Sequence, residues 1–109
     1  MAIDWTQVGK DVEVAAVDVL KDHWSSVSAA AGAQIQAMIS IGQSIEQSQN
    51  QGRLTRLEYN TLRSAEKSAL EVILSAYEAI GIVIAEQAAH AAWDVISQAL
   101  IRGAGVAFP

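Results

Sequence analysis

The sequence predicts an all-α protein, a long antiparallel helical hairpin that assembles into a four-helix bundle or a larger helical oligomer. Three observations carry this prediction. The chain of 109 residues contains two sets of helix-initiation signals, and its one Pro is the last residue. Its apolar residues recur at about the 3.6-residue spacing of a helix. No stretch alternates apolar and polar residues for long enough to indicate a strand.

The first predicted helix covers residues 5 to 49, approximately. Asp4 can cap it, Gln7 completes a capping box, and Ile3 with Val8 forms a hydrophobic staple. The phase of the apolar stripe hardly drifts over about forty residues, which favours one continuous helix. Gly32 is the one position at which this helix is expected to kink or break, if it does so at all.

A polar turn at about residues 50 to 54 separates this helix from a second one at about 55 to 102. Gly52 suits the left-handed end of the first helix, and Thr55 with Glu58 forms a second capping box. A short apolar tail follows at 103–109, so the chain is read as a single hairpin domain. Because the connection is short, the helices must be antiparallel neighbours, with facing residue numbers that sum to about 103.

The second helix is apolar on more sides than one neighbour can cover. Burial of its six large apolar side chains outside the main stripe would contribute on the order of 10 kcal/mol, enough to drive self-association. These side chains are the predicted subunit interface, and Asp at Ile82 or Trp93 is expected to separate the assembly. The six residues are Val72, Ile82, Val83, Trp93, Leu100 and Ile101.

A metal site is an alternative reading of the polar flank of the second helix. Glu86, His90 and Asp94 are spaced by four residues and climb one side of the helix. The hairpin register adds Glu13 from the first helix to the same zone. The competing interpretation is a ladder of surface ion pairs, which any helix can carry.

Two polar residues lie in the apolar half of the first helix. His23 is read as a buried, hydrogen-bonded core histidine, with a pH-sensitive subunit contact as the alternative. Gln34 is expected to fix the register of the packed helices, as a single polar residue in an apolar seam commonly does.

The net charge, the amino-acid composition and the absence of catalytic motifs argue against several classes of function. A net charge of −5 argues against nucleic-acid binding, and the absence of Cys excludes disulfides and thiolate chemistry. No catalytic motif occurs, so the chain is predicted to be non-enzymatic, with no catalytic residue and no cofactor.

No signal peptide or transmembrane helix is recognisable, which indicates a cytoplasmic protein by default, or one exported without a cleaved signal. The expected partner is the chain itself, as a dimer or higher oligomer, or else another helical protein. A structural component of a phage or of a secretion system would fit. Membrane insertion of the second helix, as a pore, is the other alternative, and its internal charges argue against it.

Overall fold

The computed structural model describes residues 2–108, and every regular element within them is helical. The prediction of an all-α fold is therefore confirmed. The elements are α1 (Trp5–Leu20), a 3₁₀ turn (Lys21–His23), α2 (Trp24–Asn50), α3 (Arg56–Ser75) and α4 (Ile82–Ala104).

The helix starts form at the residues that the sequence indicated. The Asp4 carboxylate accepts a hydrogen bond of 3.2 Å from the Gln7 backbone N–H, and the Thr55 hydroxyl accepts one of 3.1 Å from Glu58 N–H. Each bond satisfies a backbone donor that the first turn of a helix leaves without an intrahelical partner. Gly52 follows α2 with a φ of +69° and allows the chain to reverse.

The prediction of two long, continuous helices is wrong, because each is interrupted near its middle. Helix α1 ends at Leu20, and the φ of 50° and ψ of −122° at Lys21 belong to the first central residue of a type II′ turn. Gly dominates that position, and a Lys there costs about 1–3 kcal/mol. The second helix breaks between Ser75 and Ile82, where Gly81 has a φ of +42°. Gly32, the expected weak point, lies inside a continuous α2.

The consequence is that the helices fold back on one another into a compact all-helical structure. Side chains of α2 meet α3 at Gln34–Glu66 and Ser48–Glu58, within about one turn of the register predicted for a hairpin. Further pairs show that α1 runs back along α2 and that α4 runs back along α3. These pairs are Trp5–Glu46 and Lys67–His90. The longest dimension is 43 Å, against about 65–70 Å for an extended hairpin.

One chain therefore supplies all four helices around a shared core, where the sequence predicted two copies. Helix α4 packs against α1, α2 and α3 together, and a row of buried alanines on it allows this close approach. Folding back supplies the extra neighbours that the apolar second helix requires. The accessible surface is 6096 Å² for a mass of 11.6 kDa, close to the roughly 5,800 Å² expected of a folded monomer.

The end of the molecule that holds both termini is closed by two tight contacts. The Trp5 indole N–H donates a 2.8 Å hydrogen bond to Glu46, and the Trp5 ring packs over Gly42 of α2. A Cβ atom at Gly42 would lie 2.7 Å from that ring. Ile3 packs in the same manner against Gly103 of α4, which places α1 antiparallel to α4.

The opposite end contains both helix breaks, and we call it the crease end. His23 lies there in the 3₁₀ turn, half-buried beside the half-buried Trp24. His23 is therefore half-buried, where the sequence predicted a buried, hydrogen-bonded core histidine. The sequence predicted that His23 lies in the middle of a long helix. Because the chain reverses at this point, His23 lies instead at one end of the core.

Candidate functional site

The six residues predicted as an interface fall into two groups in the structure. Trp93 and Leu100 are 3% and 0% exposed, and Ile101 is half-buried. Val72, Ile82 and Val83 are 66–68% exposed. Only the second group is open to a partner in the folded chain.

Trp93 and Leu100 are core residues of the single chain, and the prediction that they face another copy is corrected accordingly. The Trp93 ring lies 6.3 Å from the Tyr59 ring, centroid to centroid, across the contact between α3 and α4. That contact exists only because the second predicted helix is broken. In one continuous helix these two residues would be about 50 Å apart.

The three exposed residues form an apolar patch at the crease end, which we call the crease patch (Val72, Ile82 and Val83). Val72 lies in the last turn of α3, and Ile82 and Val83 form the first turn of α4. They flank the connection between the two helices, whose Ile80 is buried. The patch is therefore apolar surface that the folded chain leaves exposed.

The residues of the proposed metal site remain on the surface. Glu13 lies on α1, and Glu86, His90 and Asp94 lie on α4, all four of them exposed. In the part of the chain that the structure describes, no group of three or more His, Asp or Glu side chains is arranged to hold a metal ion. The Lys67 ammonium nitrogen lies 3.3 Å from His90 Nδ1, and a cation at that position opposes a metal ion.

A polar cleft of about 270 Å³ lies between α3 and α4. The sequence pattern did not predict it, because a continuous helix separates Lys67 from His90 by about 35 Å. Ser97, one of its lining residues, accepts a buried hydrogen bond of 3.1 Å from the Tyr59 hydroxyl. The lining residues are Arg63, Lys67, His90, Trp93, Asp94, Ser97 and Gln98.

The cleft lacks the geometry of a nucleophilic site. Ser97 and His90 are two helical turns apart on α4, about 10 Å along the axis, which is too far for His90 to take the hydroxyl proton. The Trp93 indole N–H is buried without a hydrogen-bond partner among the described residues.

Neither the helices nor comparison with known proteins adds another candidate site. Among residues 2–108, no helix combines the length and the apolar character needed to cross a membrane. No protein-family model, no curated protein and no solved structure matches this chain. The candidate site with the clearest physical signal is therefore the crease patch, with the polar cleft second.

Proposed function

We propose that this chain is a non-enzymatic helical interaction protein that associates with copies of itself through the crease patch. One observation carries the proposal. The three large apolar side chains of the patch are about two-thirds exposed and flank one helix connection. Apolar surface that is gathered at one place on a soluble domain commonly marks a protein contact.

The free energy of burying the patch, compared with the cost of association, sets the expected affinity. Burial of a large apolar side chain contributes about 1.5–3 kcal/mol when it is complete, so two patches that meet contribute about 6–12 kcal/mol at two-thirds exposure. Association itself costs about 4–15 kcal/mol. The two terms are similar, which favours weak, concentration-dependent association over a permanent complex.

A second copy is the partner that the chemistry of the patch fits best. The patch is apolar and small, and the same surface on two copies is self-complementary when they are related by a two-fold axis. A net charge of −5 disfavours nucleic acid as the partner. In this proposal the unit that assembles is the folded four-helix chain, and α4 contributes only its first turn to the contact.

Sedimentation velocity over a concentration series tests the proposal. The wild-type chain should shift towards a dimer as concentration rises, and Ile82→Asp should remain monomeric. Ile82 begins α4, where a negative charge favours the helix, so this variant should keep its fold.

The matched controls are Gln36→Asp and Gln43→Asp, which add the same charge at exposed positions of α2. Both should associate as the wild-type chain does, with unchanged helical circular dichroism. A wild-type chain that stays monomeric at every concentration overturns the proposal. An Ile82→Asp chain that associates normally also overturns it.

A further inference from the structure

The buried residues keep one helical phase across each of the two breaks. Leu20 and Val27 are buried on either side of the first break, and Leu74 and Ala85 on either side of the second. These spacings of seven and eleven residues are close to two and three whole turns of a helix. If either break became helical, the stripe on one side would therefore continue directly into the stripe on the other.

Each break is a small departure from a helix. At the first, Leu20, His23 and Trp24 have right-handed helical backbone angles, and Lys21 has the positive φ. At the second, Gly81 alone has a positive φ, and no Pro occurs in the connection. The intervening residues, Ala76 to Ile80, are compatible with a helix.

The contacts divide into two sets according to these breaks. One set lies within two halves, α1 with α4 and α2 with α3, and includes Ile3–Gly103 and Gln34–Glu66. The other set joins the halves to each other. It includes Trp5–Glu46, Tyr59–Ser97 and Lys67–His90. If both breaks straightened, the first set would survive in the extended hairpin and only the second would be lost.

We propose that two copies of this chain exchange halves. Both breaks become helical, each chain opens into a long hairpin, and two antiparallel hairpins rebuild the second set of contacts between them. Trp5 of each chain then meets Glu46 of the other. This inference rests on the proposed self-association and adds a second mode to it, in which two copies re-use the core contacts of the closed chain.

The exchange is favoured because it preserves the core contacts of the closed chain. The core contacts of the closed chain are regained in the dimer, so the interface requires no surface beyond the existing core. Straightening also moves Lys21 out of a backbone conformation that suits Gly. The crease end is where both breaks lie, so one opening motion serves both helices.

Two substitutions at the breaks move the equilibrium in opposite directions. Gly81→Ala disfavours the positive φ of the closed chain and favours a helix, and no heavy atom obstructs the added Cβ within 4 Å. Helix propensity alone should raise the dimerisation constant about fivefold for each chain, and so about twenty-five-fold for the dimer. Lys21→Gly suits the turn and weakens the continuous helix, so it should lower the constant by a similar factor.

Cross-linking distinguishes exchanged halves from contact at the surface. The chain has no Cys, so two introduced Cys residues react specifically with a short bismaleimide. Lys67→Cys with His90→Cys spans the two halves, whereas Gln34→Cys with Glu66→Cys lies within one half. After refolding at high concentration, the isolated dimer should give covalent dimers with the first pair and only intrachain links with the second.

The outcomes separate this inference from the proposed function. The crease patch is supported, and the exchange overturned, if both Cys pairs give only intrachain links. In that case Ile82→Asp should abolish the dimer and Gly81→Ala should leave the dimerisation constant unchanged. Covalent dimers with the Lys67/His90 pair, increased by Gly81→Ala and unaffected by Val72→Asp, establish the exchange and overturn the patch. Monomers alone, in every variant and at every concentration, overturn both.

Discussion

The Gln34 side-chain amide donates a hydrogen bond of 3.2 Å to the Glu66 carboxylate and so joins the middle of α2 to α3. Gln34 is the polar residue that the sequence singled out within an apolar seam, and it does contact the neighbouring helix. Burial raises the pKa of the Glu66 carboxyl above its usual 4.5, and the hydrogen bond from Gln34 lowers it by less. The pair therefore combines a specific contact between the helices with a partly desolvated charge.

Glu66→Gln should stabilise the protein at neutral pH. Because the folded chain holds the Glu66 proton more tightly than the unfolded chain, wild-type stability falls as pH rises through the raised pKa. Gln keeps a carbonyl to accept from Gln34 and removes the charge. The melting temperature of the variant should exceed that of the wild-type chain at pH 7, and the difference should vanish below about pH 4.5.

Glu71→Gln, five residues further along α3, is the control because it changes the net charge equally. It measures what the change in net charge contributes by itself. A Glu66→Gln gain that is equal at pH 4 and pH 7, or shared by the control, would contradict the explanation.

Gly42→Ala should destabilise the fold and Gly32→Ala should stabilise it, although both sites lie within α2. A Cβ at Gly42 would be 2.7 Å from the Trp5 ring, while at Gly32 no atom lies within 4 Å. Overpacking typically costs about 1–3 kcal/mol, and Gly to Ala in an open helix position contributes up to about 1 kcal/mol. Urea unfolding should give shifts of opposite sign. Stabilisation by both substitutions would show that Trp5 moves aside at little cost.

Removal of the buried hydrogen bond between Tyr59 and Ser97 should reveal coupling between α3 and α4. Tyr59→Phe should cost about 0.5–1.5 kcal/mol, and Ser97→Ala about 1–3 kcal/mol because it leaves the Tyr59 hydroxyl buried and unpaired. The double variant should cost less than the sum of the two. Strict additivity in denaturant unfolding would mean that the hydroxyl groups do not stabilise one another.

Trp93→Asp should abolish the fold, whereas sequence reasoning alone expected it to separate an oligomer of intact helices. The side chain is 3% exposed, so the variant combines a cavity with an unpaired buried charge. Trp93→Phe should be much milder, because it also removes the buried indole N–H that has no partner among the described residues. Circular dichroism with thermal unfolding checks both. Native helicity and cooperative melting of Trp93→Asp would place the residue outside the core.

The helical class, the starts of α1 and α3 and the α2–α3 turn could all be read from the sequence, because each depends on local chemistry. Asp4 and Thr55 satisfy backbone donors within their own first turns, and Gly52 adopts a positive φ at no steric cost. The antiparallel register near Gln34 and Glu66 followed from the short turn. The excess of apolar surface on the second helix also correctly indicated that it needs more than one neighbour.

Only the tertiary structure decided where those neighbours come from. No Gly or Pro marks Lys21, and an unbroken apolar phase favours a continuous helix, so local signals pointed away from the break. The closed chain accepts a local cost of about 1–3 kcal/mol at Lys21 because the fold-back covers α4 on three sides. That burial joins residues distant in sequence, such as Trp93 and Tyr59 or Lys67 and His90. The stabilisation from this burial depends on the whole fold. The local sequence pattern therefore determines the helices, and tertiary packing determines where they fold back.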